Sequence, residues 1–210
     1  MPYTLPVELQ EKVIDELDDD FQALLNLSQT CRQLLPRTRY HLLSNLLLRT
    51  RERIQSFCEF LDSNPRYKPL VYRVTIAFDQ NQYVKTHTLA ELVPIPLLTL
   101  PNLRQWRISG AFGPHLAICF NRGTLAAFRK YGSSIQKLDI TSLCFASLVD
   151  FANTVGMFPA LRELSCRQFW YSRTGSEVAL ARATRCLSEQ LHLKTLTVTL
   201  MVSLERPIIF

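Results

Sequence analysis

Three stretches of the chain carry one pattern: LRQWRIS (Leu103–Ser109), IQKLDIT (Ile135–Thr141) and LRELSCR (Leu161–Arg167). In each, an apolar residue is followed three positions on by an apolar, polar, apolar triplet, the alternation of a strand with one buried face. Self-comparison extends the unit to six copies. Their apolar positions are Leu43, Leu46, Leu48; Val71, Val74, Ile76; Leu103, Trp106, Ile108; Ile135, Leu138, Ile140; Leu161, Leu164, Cys166; and Leu193, Leu196, Val198. Successive copies lie 28, 32, 32, 26 and 32 residues apart, a spacing that marks a repeat rather than chance matches in a leucine-rich chain.

Helical spacing fills the gaps. Ile54, Phe57 and Leu61 precede Pro65; Leu125, Phe128 and Tyr131 precede Gly132; Leu148, Phe151 and Val155 precede Gly156; and Val178, Ala181, Leu187 and Leu191 occupy the last interval. Between 79 and 102 the pattern predicts only a turn of helix around Leu89 to Val93, ended by Pro94 and Pro96. Strands separated by helices imply parallel pairing through right-handed crossovers. The fold class expected is α/β, with residues 43–210 forming an irregular solenoid of about six units, strands on the concave side and helices outside.

Upstream the texture is helical. Pro6 suits a helix start, Glu8 and Glu11 complement its dipole, and Leu9, Val13, Ile14 and Leu17 share a face. Asp18, Asp19 and Asp20 break the run and can cap a second helix with Phe21, Leu24, Leu25 and Leu27, followed by a third segment from Thr30 through Leu34 and Leu35. Three short helices in so few residues have little room for a core of their own, so their leucines need a neighbour, either this chain or another protein.

The stretches LPVELQEKVIDEL and LLNLSQTCRQLLPRTRYHLL resemble the F-box, the helical module by which substrate receptors of SCF-type ubiquitin ligases grip a Skp-type adaptor; the form common in fungi runs straight into degenerate leucine-rich repeats. The Leu-Pro-x-Glu-Leu opening falls on Leu5, Pro6, Glu8 and Leu9, the following apolar positions on Val13, Ile14 and Leu17, and the later Leu, Ser and Cys-Arg positions on Leu24 or Leu27, Ser28, Cys31 and Arg32. Two departures weaken the expected grip. The joint DDDFQAL is about two residues longer than the commonest spacing, and Leu34 and Leu35 replace a frequent tryptophan. The resemblance implies an adaptor-binding domain over 1–42, its contacts made by Leu5, Pro6, Leu9, Val13, Ile14, Leu17, Leu24, Leu27, Cys31 and Leu34, with a cullin reached through the adaptor. The repeats would hold a protein target. In such a repeat the residues between core positions face the concave surface, and Arg73, Gln105, Arg107, Lys137, Asp139 and Glu163, with Trp170 and Tyr171 of the aromatic run 169–171, are the target-binding candidates. The asparagine that caps each strand in regular leucine-rich repeats is missing, its places taken by Ala111, Leu143, Phe169 and Met201.

Charge divides the chain at the same boundary. The 210 residues carry net +6, but the first 31 hold Lys12 against seven acids, leaving +12 on the rest. Arg37, Arg39, Arg49, Arg51 and Arg53 give a nucleic-acid reading some footing, yet no nucleic-acid fold signature accompanies them, and a solvated face is the plainer account. A repeat scaffold with no ligase role is the other alternative. No apolar run reaches membrane-spanning length, the start lacks a secretory pattern, and the six scattered cysteines suit reduced core thiols, so cytoplasm or nucleus is expected. His41, His87, His115 and His192 stand apart from other ligands or acids in sequence. No metal site, cofactor loop or nucleophile elbow is legible, and the chain reads as a non-enzyme that positions a target. The apolar end Ile208–Phe210 leaves two alternatives, a tail folded over the last unit or a solenoid that continues.

Overall fold

The computed structural model describes residues 5–18, 20–30, 32–77, 95–110, 117–118, 120, 122–173 and 192–200, together with the single positions Val178, Ala181 and Arg185. It begins with three helices, α1 (Val7–Glu16), α2 (Phe21–Thr30) and α3 (Leu35–Ser44), and passes without a loop into strand β1 (Asn45–Leu48). Pro6 lies one place outside α1 as its N-cap, with φ −52° and ψ 145°. Helix α4 (Arg51–Ser63) and the 3₁₀ turn Pro65–Leu70 lead to β2 (Arg73–Ala77); the short α5 (Ile95–Leu98) precedes β3 (Gln105–Ser109). Then come β4 (Ala117–Ile118), α6 (Arg122–Tyr131), β5 (Lys137–Thr141), β6 (Cys144–Ser147), α7 (Leu148–Val155), β7 (Glu163–Arg173) and β8 (Thr195–Leu200).

All six predicted strand units pair in parallel, β1-β2-β3-β5-β7-β8, and the protein is mixed α/β. Equivalent residues sit opposite one another: Leu46, Val74, Trp106, Leu138, Leu164 and Leu196 form one row, and Leu48, Ile76, Ile108, Ile140, Cys166 and Val198 the next. A one-residue slip would turn every one of these side chains to the other face, so the alternation fixes the register. The entry to each strand is tied to the preceding unit in the same way. The carbonyl of Tyr72 accepts from the N–H groups of Arg104 and Gln105, that of Arg104 from Gln136 and Lys137, that of Gln136 from Arg162 and Glu163, and that of Arg162 from Lys194 and Thr195.

The core lies between this sheet and α4–α7. Trp106 is fully enclosed, as its place in the unit predicts, although its indole N–H finds no hydrogen-bond partner among the described residues. Phe128 stacks obliquely on Phe158 at 5.1 Å, and Phe145 meets Phe151 edge-on at 5.4 Å, separations at which aromatic pairs attract beyond their buried area. Two caps place the outer helices: the Thr50 hydroxyl accepts from Arg53 N–H at 3.2 Å, and the Ser147 hydroxyl from Asp150 N–H at 3.0 Å. The outermost unit departs from expectation. Leu196 and Val198, read as core, are 59% and 49% exposed, because β8 is an edge strand with β7 as its one described neighbour.

Two strands, β4 and β6, escape the repeat pattern. They form a second small parallel sheet with the outer half of β7, Ala117 opposite Cys144, and Cys144 opposite Trp170. The joint between the sheets is a turn repeated in register. Ser142 (φ 55°) and Gln168 (φ 53°) adopt left-handed backbone, and Gly110 holds the equivalent place one strand before. Gly110 N–H donates to Thr141 O at 2.8 Å, Ser142 N–H to Arg167 O at 2.9 Å, and the Ser142 hydroxyl to Gln168 Oε1 at 2.7 Å. A Cβ at Gly110 would run into the Ser142 carbonyl, so the close approach of strands requires glycine there. The polar ladder of these repeats therefore stands one position before the place where the asparagine is missing, while Leu143 is buried in the core.

Other expectations meet the structure unevenly. The helices expected before Pro65, Gly132 and Gly156 are present as α4, α6 and α7. The turn expected at Leu89 to Val93 and nearly all of the last interval lie outside the described residues, as do Cys31, Cys119 and Cys186. Pro96 does not end a helix but sits in the first turn of α5, where no intrahelical N–H is needed. Cys144 and Cys166 are buried thiols outside any disulfide, and Cys58, likewise unbridged, is half-buried. Burial, with the nearby Asp139 carboxylate, pushes the Cys166 thiol up to about 12. Among the described residues no helix is long and apolar enough to cross a membrane, and no cluster of metal-ligating side chains occurs.

Candidate functional site

The N-terminal helices join the sheet at its β1 edge through α3, and this end of the molecule carries three features. The first is an apolar strip. Leu5 (55% exposed), Leu9 (46%) and Val13 (54%) continue along α1, with Pro6 and Val7 also exposed and Phe21 exposed at the start of α2. The Leu5 carbonyl accepts from Gln10 Nε2 at 2.6 Å, which holds the entering chain against the helix. Of the other adaptor candidates, Ile14 and Leu24 are buried within this chain and Leu17, Leu27 and Leu34 half-buried. Of the two neighbours left open for these residues, Ile14 and Leu24 take the first, being buried within this chain, so as they stand they are not open adaptor contacts.

The second feature is a polar clasp that fixes α1 on α3. The Asp15 carboxylate accepts from Arg37 Nε and Nη2, both at 2.7 Å, and lies 2.8 Å from His41 Nε2; the opposite ring nitrogen, Nδ1, lies 2.8 Å from Asp18 Oδ1. Asn45 Nδ2 donates to the same Asp18 oxygen at 2.7 Å. The hydrogen bond from Arg37, then that from His41, holds the Asp15 carboxyl down to about 2, and Asp15 in turn raises the Arg37 guanidinium above its ordinary value. His41 therefore does not stand alone. Its acids are 23 and 26 residues away, beyond any local spacing rule; the signal was the i, i+4, i+8 series Arg37, His41, Asn45 opposite Asp15 and Asp18 at i, i+3.

The third feature is the sheet face itself. Arg73, Gln105, Lys137 and Glu163 stand in one cross-strand row, and Arg107 and Asp139 in the next. These residues largely bind one another. Arg73 Nε donates to Gln105 Oε1 at 2.7 Å, Lys137 Nζ pairs with Glu163 at 2.9 Å, and Arg107 pairs with Asp139 at 3.0 Å. Asp139 is only 4% exposed. It is a tether for Arg107 and not an open contact, which corrects its place among the target-binding candidates. Trp170 and Tyr171 lie beyond the shift of register, in the β6–β7 sheet, so the structure does not join them to this row; Tyr171 is exposed.

Between α2–α3 and the sheet face is a cleft of about 420 Å³ lined by Arg49, Arg53, Arg73 and Arg107, with Asp18 and His41 on the helical side and Asn45 at the start of β1. Sequence reading placed Arg49 and Arg53 with a solvated basic run and Arg73 and Arg107 with a separate face; the return of the chain from β1 through α4 to β2 brings the four together. Comparison with known proteins finds no matching family model, no matching curated protein and no matching solved structure.

Proposed function

We propose that this chain is a non-catalytic substrate receptor of an SCF-type ubiquitin ligase, with residues 1–42 as an F-box engaging a Skp-type adaptor, and through it a cullin, and residues 43–210 as a degenerate leucine-rich solenoid holding a protein target. The observation that carries the reading is the strip Leu5, Pro6, Leu9 and Val13. The Leu-Pro-x-Glu-Leu motif supplies the first three and the apolar position after it the fourth, and they stay in water while Ile14, one position on, is buried. Burying a leucine is worth roughly 1.5–3 kcal/mol, so an exposed apolar strip at helical spacing favours a partner groove. The clasp of Asp15 and Asp18 on Arg37, His41 and Asn45 supports the division of labour, since α3 continues into β1 and an adaptor held on α1 would stand at a fixed angle to the sheet. The chain would act by raising the local concentration of a target beside a ubiquitin carrier, with bond chemistry done by other subunits.

Co-purification with a Skp-type adaptor tests this. The wild-type chain retains the adaptor, and the triple variant Leu5→Ala, Leu9→Ala, Val13→Ala loses it by about tenfold or more, equivalent to ~1.4 kcal/mol. A wild-type chain that retains no adaptor overturns the reading.

A further inference from the structure

We propose that the arginine-lined cleft at the β1 edge is a binding site for a phosphate monoester carried on an apolar body. Its size, about 420 Å³, lies in the range of small-ligand sites, which pair an apolar lining with a few convergent polar groups. Four separate elements deliver the cations: Arg49 follows β1, Arg53 stands in the first turn of α4, Arg73 opens β2 and Arg107 is central in β3. Phe21, Leu42 and Leu46 supply the apolar lining.

The charges within the cleft do not balance. Arg107 is paired with Asp139. Arg73 reaches only the neutral amide of Gln105, and among the described residues Arg49 and Arg53 make no ion pair. Among the described residues the one carboxylate in the lining is Asp18, whose Oδ1 already meets His41 and Asn45. Glu52 lines the adjoining groove beside Phe57 and Phe60, and Arg53 borders both recesses. Among the described residues three guanidinium groups thus share one recess without an ion-paired carboxylate of their own, an arrangement that favours entry of an anion. Guanidinium presents N–H donors in a planar fork that matches phosphate oxygens. A dianionic phosphate answers three such groups better than a singly charged carboxylate, and the apolar lining takes up the organic part of the ester. The site does not depend on the ligase reading.

Calorimetric titration of the full chain with phenyl phosphate, inorganic phosphate and benzoate tests the assignment. Phenyl phosphate saturates one site and binds at least about tenfold more tightly than either of the other two. The double variant Arg53→Gln, Arg73→Gln weakens it by about tenfold or more, whereas Arg129→Gln, on α6 and outside the cleft, leaves it unchanged. Should the double variant fail to fold, Arg49→Gln alone, at an exposed residue, weakens binding severalfold. Absence of saturable binding to the wild-type chain overturns the proposal, as does benzoate binding as tightly as phenyl phosphate, or Arg129→Gln causing the same loss as the cleft variants.

Discussion

The sheet and the first helix are both amphipathic by sequence, yet they treat their apolar residues differently. In the sheet the central row Val74, Trp106, Leu138 and Leu164 is buried throughout, because each strand covers its neighbour and helices cover the row. In α1 only Ile14 is buried, and Leu9 and Val13 stay half in water. Periodicity therefore locates a face that wants covering, but the cover itself has to come from another element. The sheet has one within the chain, whereas the outer side of α1 lacks one among the described residues.

Truncation separates the two regions most sharply. Trp106→Ala removes the largest enclosed side chain and is expected to cost about 3–5 kcal/mol, read as a lowered midpoint in urea unfolding. A cost below about 1 kcal/mol would mean that the sheet is no better covered than the helix. Acid titration probes the bond between the regions. Asp15 has its folded pKa depressed to about 2 from 3.8, so its stabilising effect is fully present above pH 3.8 and is lost as pH falls through about 2. Asp15→Asn should flatten that part of the stability profile followed by near-ultraviolet circular dichroism; an unchanged profile would remove the clasp from any account of how the helices are held. The smallest effect belongs to Leu9→Ala, expected to shift stability by less than about 0.5 kcal/mol, since leucine and alanine are both good helix formers and the site is solvated. A larger loss would place Leu9 in a core and take it from the proposed adaptor surface.

The parts of the fold legible in the sequence are those set by local periodicity. The triplets around Val74, Trp106, Leu138 and Leu164 locate the strands and their register, and Pro65, Gly132 and Gly156 mark helix ends. Strands β4 and β6 were not legible because they are short and are held by pairing, β6 to the outer half of β7 and β4 to β6, rather than by an alternation of their own. Asp139 reads like any polar residue between core positions; its burial follows from Arg107 lying across it in the next strand. The cleft was invisible for a related reason. Arg49, Arg53, Arg73 and Arg107 have no common spacing and converge only through the return of the chain. The clasp at His41 likewise joins residues a helix and a turn apart. Of the candidate site, the apolar strip on α1 was readable and its division into exposed Leu9 and buried Ile14 was not, since that depends on where α3 packs.

Strand β7 is the longest of the described strands at 11 residues, and its two halves serve different sheets. Its first half is bonded to β5 and β8, its second to β6, with Gln168 at the bend between them. Peeling β6 away therefore strips one end of a strand whose other end anchors β5. Unfolding that begins in the small sheet has a direct mechanical route into the large one, and amides on both sides of Gln168 should exchange with solvent through one shared opening rather than two separate ones.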